Sequence, residues 1–229
     1  MAGGMMRAMI LAAGRGERLR PYTDHLPKPL LEVGGKPLIV RHLESLAAAG
    51  VREAVINIGH LGDQIVARLG HDWQGVKIIY SDERAGRLET GGALIRALPY
   101  LGSEPFLLVN GDICTDFSWN LLLQESTASV HLVLVPNPDH HPAGDFVLDA
   151  GVVALQGEER HTYAGIARID PTLLQAYPEQ SAPLAPWLRE WIAEGIVAGT
   201  LYQGMWTDVG TPERWQLAQE RCRVRHDGI

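Results

Sequence analysis

Five short apolar runs punctuate the first part of the chain: AMILAAG (8–14), EAVINIG (53–59), VKIIYS (76–81), PFLLVNGD (105–112) and SVHLVLVP (129–136). Each has strand length, and several are apolar at consecutive positions, as strands buried on both faces are. Helix-length segments separate them. KPLIVRHLESLAAAG (36–50) carries apolar residues at helical spacing, Pro37 near its start and Gly50 as a stop signal. LGDQIVARLG (61–70) and LETGGALIRALPYLG (88–102) predict two further helices. The alternation predicts an α/β fold, doubly wound around a mostly parallel, mixed sheet, with ligands at the carboxyl ends of the strands.

Beyond residue 137 the rhythm changes. NPDHHPAGDFVLDAGVVAL (137–155) predicts a loop feeding a β-hairpin, and RHTYAGIARID (160–170) another strand. Helices are expected at 182–195 and 211–225, separated by IVAGTLYQGMWTDVG (196–210). No internal repeat or low-complexity tract interrupts the chain, so 1–229 is expected to form one domain, with halves at about 6–136 and 137–229.

Composition narrows the function. With 46% apolar residues in 229, the chain has the make-up of a globular protein able to bury a sizeable core. Twenty Lys and Arg against 27 Asp and Glu, a formal charge of -7, argue against a basic nucleic-acid-binding face. If phosphate is the ligand, positive charge has to be gathered locally. Cys114 and Cys222 stand far apart in no metal-like spacing and read as free thiols of a reducing compartment. Arg7 interrupts the N-terminal apolar stretch, leaving neither a secretory nor a membrane-spanning pattern, so a cytoplasmic location with no membrane partner is expected.

That local charge lies directly after the first strand. LAAGRGERLRP (11–21) bares its backbone at Gly14 and Gly16, while Arg15, Arg18 and Lys28 bring cations to the same place. Backbone N–H groups cradle phosphate oxygens where side chains stay clear, an Arg fork suits paired oxygens, and Lys acts as a point charge. Two familiar glycine loops are excluded. The dinucleotide fingerprint needs a third glycine where this chain has Leu19, and Leu19-Arg20-Pro21 stands where a P-loop needs Gly-Lys-Ser/Thr. The competing reading is a surface loop with solvated cations.

The loop, followed by LPKPLL (26–31), resembles the signature of the sugar-phosphate nucleotidyltransferases. The resemblance implies a Rossmann-like fold of that type, with the loop Ala13, Gly14, Arg15, Gly16, Glu17 and Arg18 holding a triphosphate and Lys28 as the family's phosphate-binding lysine. It further implies that Asp112 of VNGD (109–112) and Asp208 of WTDVGTPE (206–213) pair as Mg2+ ligands. Thr90 and Gly91, with Glu89 and Gly92, would lie against the base. The similarity extends through INIGHLGDQI, LETGG, YAGIARI with Gly165, and NPDHHPAGDF, which would set Asp145 against the sugar. This last element points to the branch whose substrates are UTP and N-acetylmuramate 1-phosphate, used in cell-wall recycling.

In that chemistry a sugar 1-phosphate oxygen attacks the α-phosphorus of the nucleotide. A phosphate monoester has a second pKa near ~6 and is largely ionised at neutral pH, so no side-chain base is required. His140 and His141 therefore read as loop or packing residues, and catalysis is expected from positioning and charge neutralisation by Arg18 and Lys28. Asn110, two residues before Asp112 at the same strand end, is a sugar-phosphate candidate; Asn57 is a weaker nucleotide candidate and Asp116 a turn acid. Arg84, Arg87 and Arg168 remain open as partners of a lactyl carboxylate. Trp187, Trp191 and Trp215 read as core before interface, leaving the oligomeric state open. The rival functions are another sugar-1-phosphate nucleotidyltransferase, for guanylyl, thymidylyl or cytidylyl transfer, and a non-catalytic nucleotide-sensing module.

Overall fold

The structure is a computed structural model that describes residues 6–84, 86, 88–123 and 128–226. Its strands are β1 (Arg7–Leu11), β2 (Glu32–Val33), β3 (Lys36–Pro37), β4 (Glu53–Ile58), β5 (Asp72–Trp73), β6 (Val76–Asp82) and β7 (Phe106–Asn110). They continue as β8 (Ile113–Thr115), β9 (Val130–Val135), β10 (Phe146–Asp149), β11 (Val152–Ala154), β12 (Arg160–Ile169), β13 (Val197–Leu201) and β14 (Trp206–Asp208). The helices are α1 (Leu38–Ala48), α2 (Gly62–Leu69), α3 (Glu89–Leu101), α4 (Asn120–Leu123), α5 (Ala185–Ala193) and α6 (Pro212–His226).

Ten strands form one sheet in the order β10-β11-β13-β9-β12-β7-β1-β4-β6-β5. Strands β7, β1, β4 and β6 run parallel, whereas β12 enters antiparallel between β7 and β9. The sheet thus runs without a break from the regular first half into the less regular second half. Register sets the working edge: Leu11 pairs with both Asn57 and Asn110, and Asn57 with Ser81. Four strands therefore end in line, and the loops leaving them share one rim, where an open α/β sheet places its ligands.

Both faces of the sheet are covered, which explains the uninterrupted apolar runs. Along β1, Ala8 and Ile10 point into a core with Leu43 and Leu46 of α1 and Ile65 of α2. Met9 points into the opposite core with Leu94 and Leu101 of α3 and Trp187 and Trp191 of α5. Trp187 and Trp191 are thus core residues, while Trp215 is half-buried with its indole N–H donated to the Glu32 carbonyl at 2.7 Å. A third cluster joins Leu19, Leu31 and Val33 to Val209, Ala218 and Cys222, pinning the far side of the glycine loop to α6. Leu19, fully buried there, is the loop's anchor, the reason an apolar residue stands where a dinucleotide loop would need glycine.

Some boundaries differ from expectation for local reasons. The first strand stops at Leu11 instead of running to 14, because the Ala12 N–H turns to the Asn57 side chain at 2.6 Å. Residues 36 and 37 pair with 32 and 33 before α1 begins. The loop to Leu30 tightens into three short 3₁₀ turns, at 17–19, 22–24 and 28–30. Among the described residues no helix is long and apolar enough to cross a membrane.

One buried polar group makes stability depend on pH. Burial drives the His42 imidazole on α1 from its ordinary 6.5 to about 4, opposed only in part by the Asp112 charge. The folded chain keeps this ring neutral, while an unfolded chain protonates it near 6.5. Its contribution is therefore complete above pH 6.5 and lost as pH falls from there toward 4, about 3 kcal/mol across the window. Urea unfolding at pH 7 and pH 4.5 is expected to show this decline, and His42→Gln to flatten it. An identical decline in that variant would assign the loss to other groups.

Candidate active site

The sheet rim opens into two adjoining cavities. The larger, ≈ 480 Å³, is walled by the loop from Ala13 to Arg18 together with Lys28, Thr90 and Asp112. Gly16 holds the bend at φ 64°, its carbonyl accepting from the Thr23 hydroxyl at 2.8 Å. A side chain at Gly16 would meet Thr23 at 2.9 Å, so glycine is needed both for conformation and for close approach. Arg15, Glu17 and Arg18 are exposed on this loop, whereas Lys28 is half-buried beneath it.

The floor is a buried clip. Asn57 accepts from the Ala12 N–H and donates through Nδ2 to Glu83 Oε1 at 2.8 Å. Asn57 thus spends both ends of its amide on the protein and fixes the loop's departure point. Burial raises the Glu83 carboxyl above its usual range, partly offset by the Asn57 hydrogen bond. Glu83 follows a buried strand just as Asp112 does, a signal that the motif reading passed over.

The smaller cavity, ≈ 290 Å³, shares Asn110 and Asp112 with the first and is completed by residues that include Gly165, Asp208, Arg214 and the His140–His141 pair. Two local devices assemble it. Antiparallel pairing of β8 with β14 sets Asp208 opposite Ile113, and the Val209 N–H donates to the Asp112 carbonyl at 2.7 Å, which brings the two distant carboxylates onto one wall. An irregularity in β12 between Tyr163 and Ala167 lets Gly165 adopt φ 69°. A Cβ there would lie 2.5 Å from Asn110 Nδ2, so the bare backbone gives Asn110 its place.

Opposite charges interlock across this wall. Lys28 Nζ donates to Asp112 Oδ2 at 2.5 Å, and Arg214 Nη1 donates to Asp208 Oδ2 at 2.6 Å. His140 Nε2 approaches Asp208 Oδ1 at 3.1 Å without hydrogen-bond geometry, which leaves that buried oxygen an unpaired acceptor. Two hard carboxylates, one with a free oxygen, facing one cavity fit a divalent cation such as Mg2+, which takes one or two protein carboxylates and fills its shell from phosphate and water.

The structure brings together Ala13, Gly14, Arg15, Gly16, Glu17, Arg18, Lys28 and Thr90 around the larger cavity, and Asn110, Asp112, Gly165 and Asp208 around the junction and the smaller one. Two candidates stand elsewhere. Gly91 is off the wall: its N–H donates to the Ala182 carbonyl at 2.8 Å and a Cβ would strike Trp187, so its glycine serves packing of α3. Asp145 lies one step behind the wall, its oxygens held by the Tyr163 N–H at 2.8 Å and His141 Nε2 at 3.0 Å. The histidines expected as packing residues are thus on the cavity itself. Arg84 is exposed and paired with Asp82 and Asp63, Arg168 pairs in register with Leu107 well back along the sheet, and Arg87 lies outside the described residues. Asp116 accepts from the Met205 N–H at 2.8 Å, tying the turn after β8 to the start of β14.

The glycine loop with its convergent cations and the two carboxylates stand together at the carboxyl edge of a mixed sheet, as the sequence resemblance implies for a nucleotidyltransferase. The chain belongs to the nucleotidyl transferase family, whose model matches residues 7–161. It is 47% identical to the N-acetylmuramate alpha-1-phosphate uridylyltransferase of Neisseria meningitidis serogroup B, over 93% of this chain and 97% of that protein. The protein of the same description from Caulobacter vibrioides is 33% identical over 93% of this chain and 96% of its own. In fold the chain matches a UDP-glucose pyrophosphorylase from Acinetobacter baumanii, with a TM-score of 0.81 at 16% identity, covering 97% and 95% of the two chains.

Proposed function

We propose that this protein transfers a uridylyl group from UTP to N-acetylmuramate 1-phosphate, releasing pyrophosphate and giving UDP-N-acetylmuramate, in cytoplasmic recycling of cell-wall sugar. The observation that carries this choice of substrates is the 47% identity, over nearly the full length of both chains, to the Neisseria uridylyltransferase. The geometry supports the transfer, since two cavities meeting at Asn110 and Asp112 suit two phosphate substrates that must touch.

The reading gives each residue a task. The backbone at Ala13, Gly14 and Gly16 accommodates the triphosphate, and Arg15 and Arg18 neutralise the pyrophosphate that leaves. Lys28, held at the junction by Asp112, lowers the repulsion between the α-phosphate and the incoming monoester. Asn110 and the bare backbone at Gly165 hold the sugar phosphate, with His140 and His141 lining its far side. Asp112 and Asp208 would hold Mg2+, which when bound supplies Lewis-acid neutralisation of phosphate charge. No protein base is assigned, because the attacking phosphate is ionised already at neutral pH.

The test is pyrophosphate release from each of the four nucleoside triphosphates with several sugar 1-phosphates. UTP with N-acetylmuramate 1-phosphate is expected to give the highest kcat/KM. A higher value for another pair would reassign the substrates, and release from no pair would remove the activity.

A further inference from the structure

Arg214 belongs to no part of the nucleotide loop and stands six residues beyond Asp208, in the first turn of α6. Its side chain is 13% exposed and lines the smaller cavity beside Asp112 and Gly165. Only one of its donors has a described acceptor, Nη1 on Asp208 Oδ2. Nε is buried with no acceptor, an arrangement that proteins rarely leave unmet without a reason.

Its neighbour supplies the second observation. Gly210 lines the nucleotide cavity, and a Cβ built there would overlap Arg214 Nη2 and lie 3.3 Å from Arg18 Nη2. Two guanidinium groups, one from each cavity, therefore flank the space that a side chain at Gly210 would take. Asp208 takes only Nη1 of Arg214, which leaves the rest of that fork open to an anion. In the smaller cavity that anion would be a phosphate monoester, whose oxygens a guanidinium fork matches bidentately.

We propose that Arg214 is a binding residue for the phosphate of the sugar 1-phosphate, facing across Gly210 the Arg18 that serves the pyrophosphate. The assignment rests on the reading of the smaller cavity as the sugar-phosphate site. It also gives position 210 a reason to be glycine, since a side chain there would displace the Arg214 fork.

Arg214 can be tested apart from the glycine loop. Calorimetric titration of N-acetylmuramate 1-phosphate and of glucose 1-phosphate into the protein without nucleotide is expected to show binding at least about tenfold weaker in Arg214→Ala, with Arg214→Lys recovering part of it. In steady state the same variant is expected to raise the KM for the sugar 1-phosphate about tenfold while leaving that for UTP within about twofold. Mn2+ binding, followed by electron paramagnetic resonance, separates this role from mere support of Asp208. Removing a cation beside a carboxylate does not weaken the carboxylate's pull on a divalent ion, so Arg214→Ala is expected to keep Mn2+ affinity at or above wild type. Unchanged sugar-phosphate affinity in Arg214→Ala, or loss of Mn2+ binding, would overturn the proposal. Wild-type protein that binds neither sugar phosphate would overturn the reading of the cavity, and the proposal with it.

Discussion

Asp112→Asn is expected to reduce turnover to background, a loss of about 10³-fold or more, while the protein folds normally. The substitution keeps shape and volume but removes the charge that faces both cavities. It also strips Lys28 of its ion pair, so the ammonium at the junction is no longer held in place. What Asp112 gives the fold comes mainly from its backbone, whose carbonyl accepts from the Val209 N–H, and asparagine retains that contact. The Asp112 side chain is 31% exposed but Lys28 only 12%, so solvent screens the lost pair in part and the stability loss is expected to be about 1–2 kcal/mol. Steady-state kinetics across a Mg2+ titration, with thermal unfolding alongside, checks both halves. Near-normal turnover at saturating Mg2+ would refute the metal-ligand role of Asp112.

Much of this arrangement was legible because the informative residues are local. Apolar runs such as Phe106–Val109 and Leu132–Val135 showed a sheet covered on both faces, and Gly14, Gly16 and Lys28 lie close enough in sequence to be read as one device. The carboxylates were legible only through the family resemblance. What joins Asp112 to Asp208 is the pairing of β8 with β14, two three-residue strands too short to leave a period-2 pattern. Gly91 lies off the cavity wall for a related reason. A glycine at a helix start suggests an exposed backbone, but here the 180–182 segment, distant in sequence, closes over α3 and takes that space. The chemistry needs no base, so nothing in the sequence draws His140 and His141 to the site. Their place on the cavity follows from the fold of the 137–145 loop, which Asn137 ties back to the Arg160 carbonyl at 2.9 Å and to Thr162 at 2.9 Å. Arg214, on the turn of α6 that faces Asp208, could not be told by sequence from the other arginines of that helix, Arg221, Arg223 and Arg225.

Lys28→Ala is expected to lower kcat/KM by about 10² to 10³, with kcat and the KM for both substrates affected together. Lys28 lines the larger cavity and bonds Asp112, which both cavities share, so on the proposed function its charge would serve the nucleotide and the incoming phosphate at once; among the described residues no other lysine lines either cavity. Arginine is not expected to replace it. The Lys28 Cβ lies 3.3 Å from the position a side chain would take at Gly16, so the stem is packed under the glycine loop with little room for a broader planar head. Lys28→Arg is accordingly expected to recover less than a tenth of the lost activity. Lys77 provides the control: it is 63% exposed, paired with Glu53 on the far end of β6, and Lys77→Ala is expected to leave kcat/KM within about twofold. Equal kcat/KM for Lys28→Ala and wild type would remove Lys28 from the site, and with it the physical reason for a lysine beneath a loop that already carries two arginines.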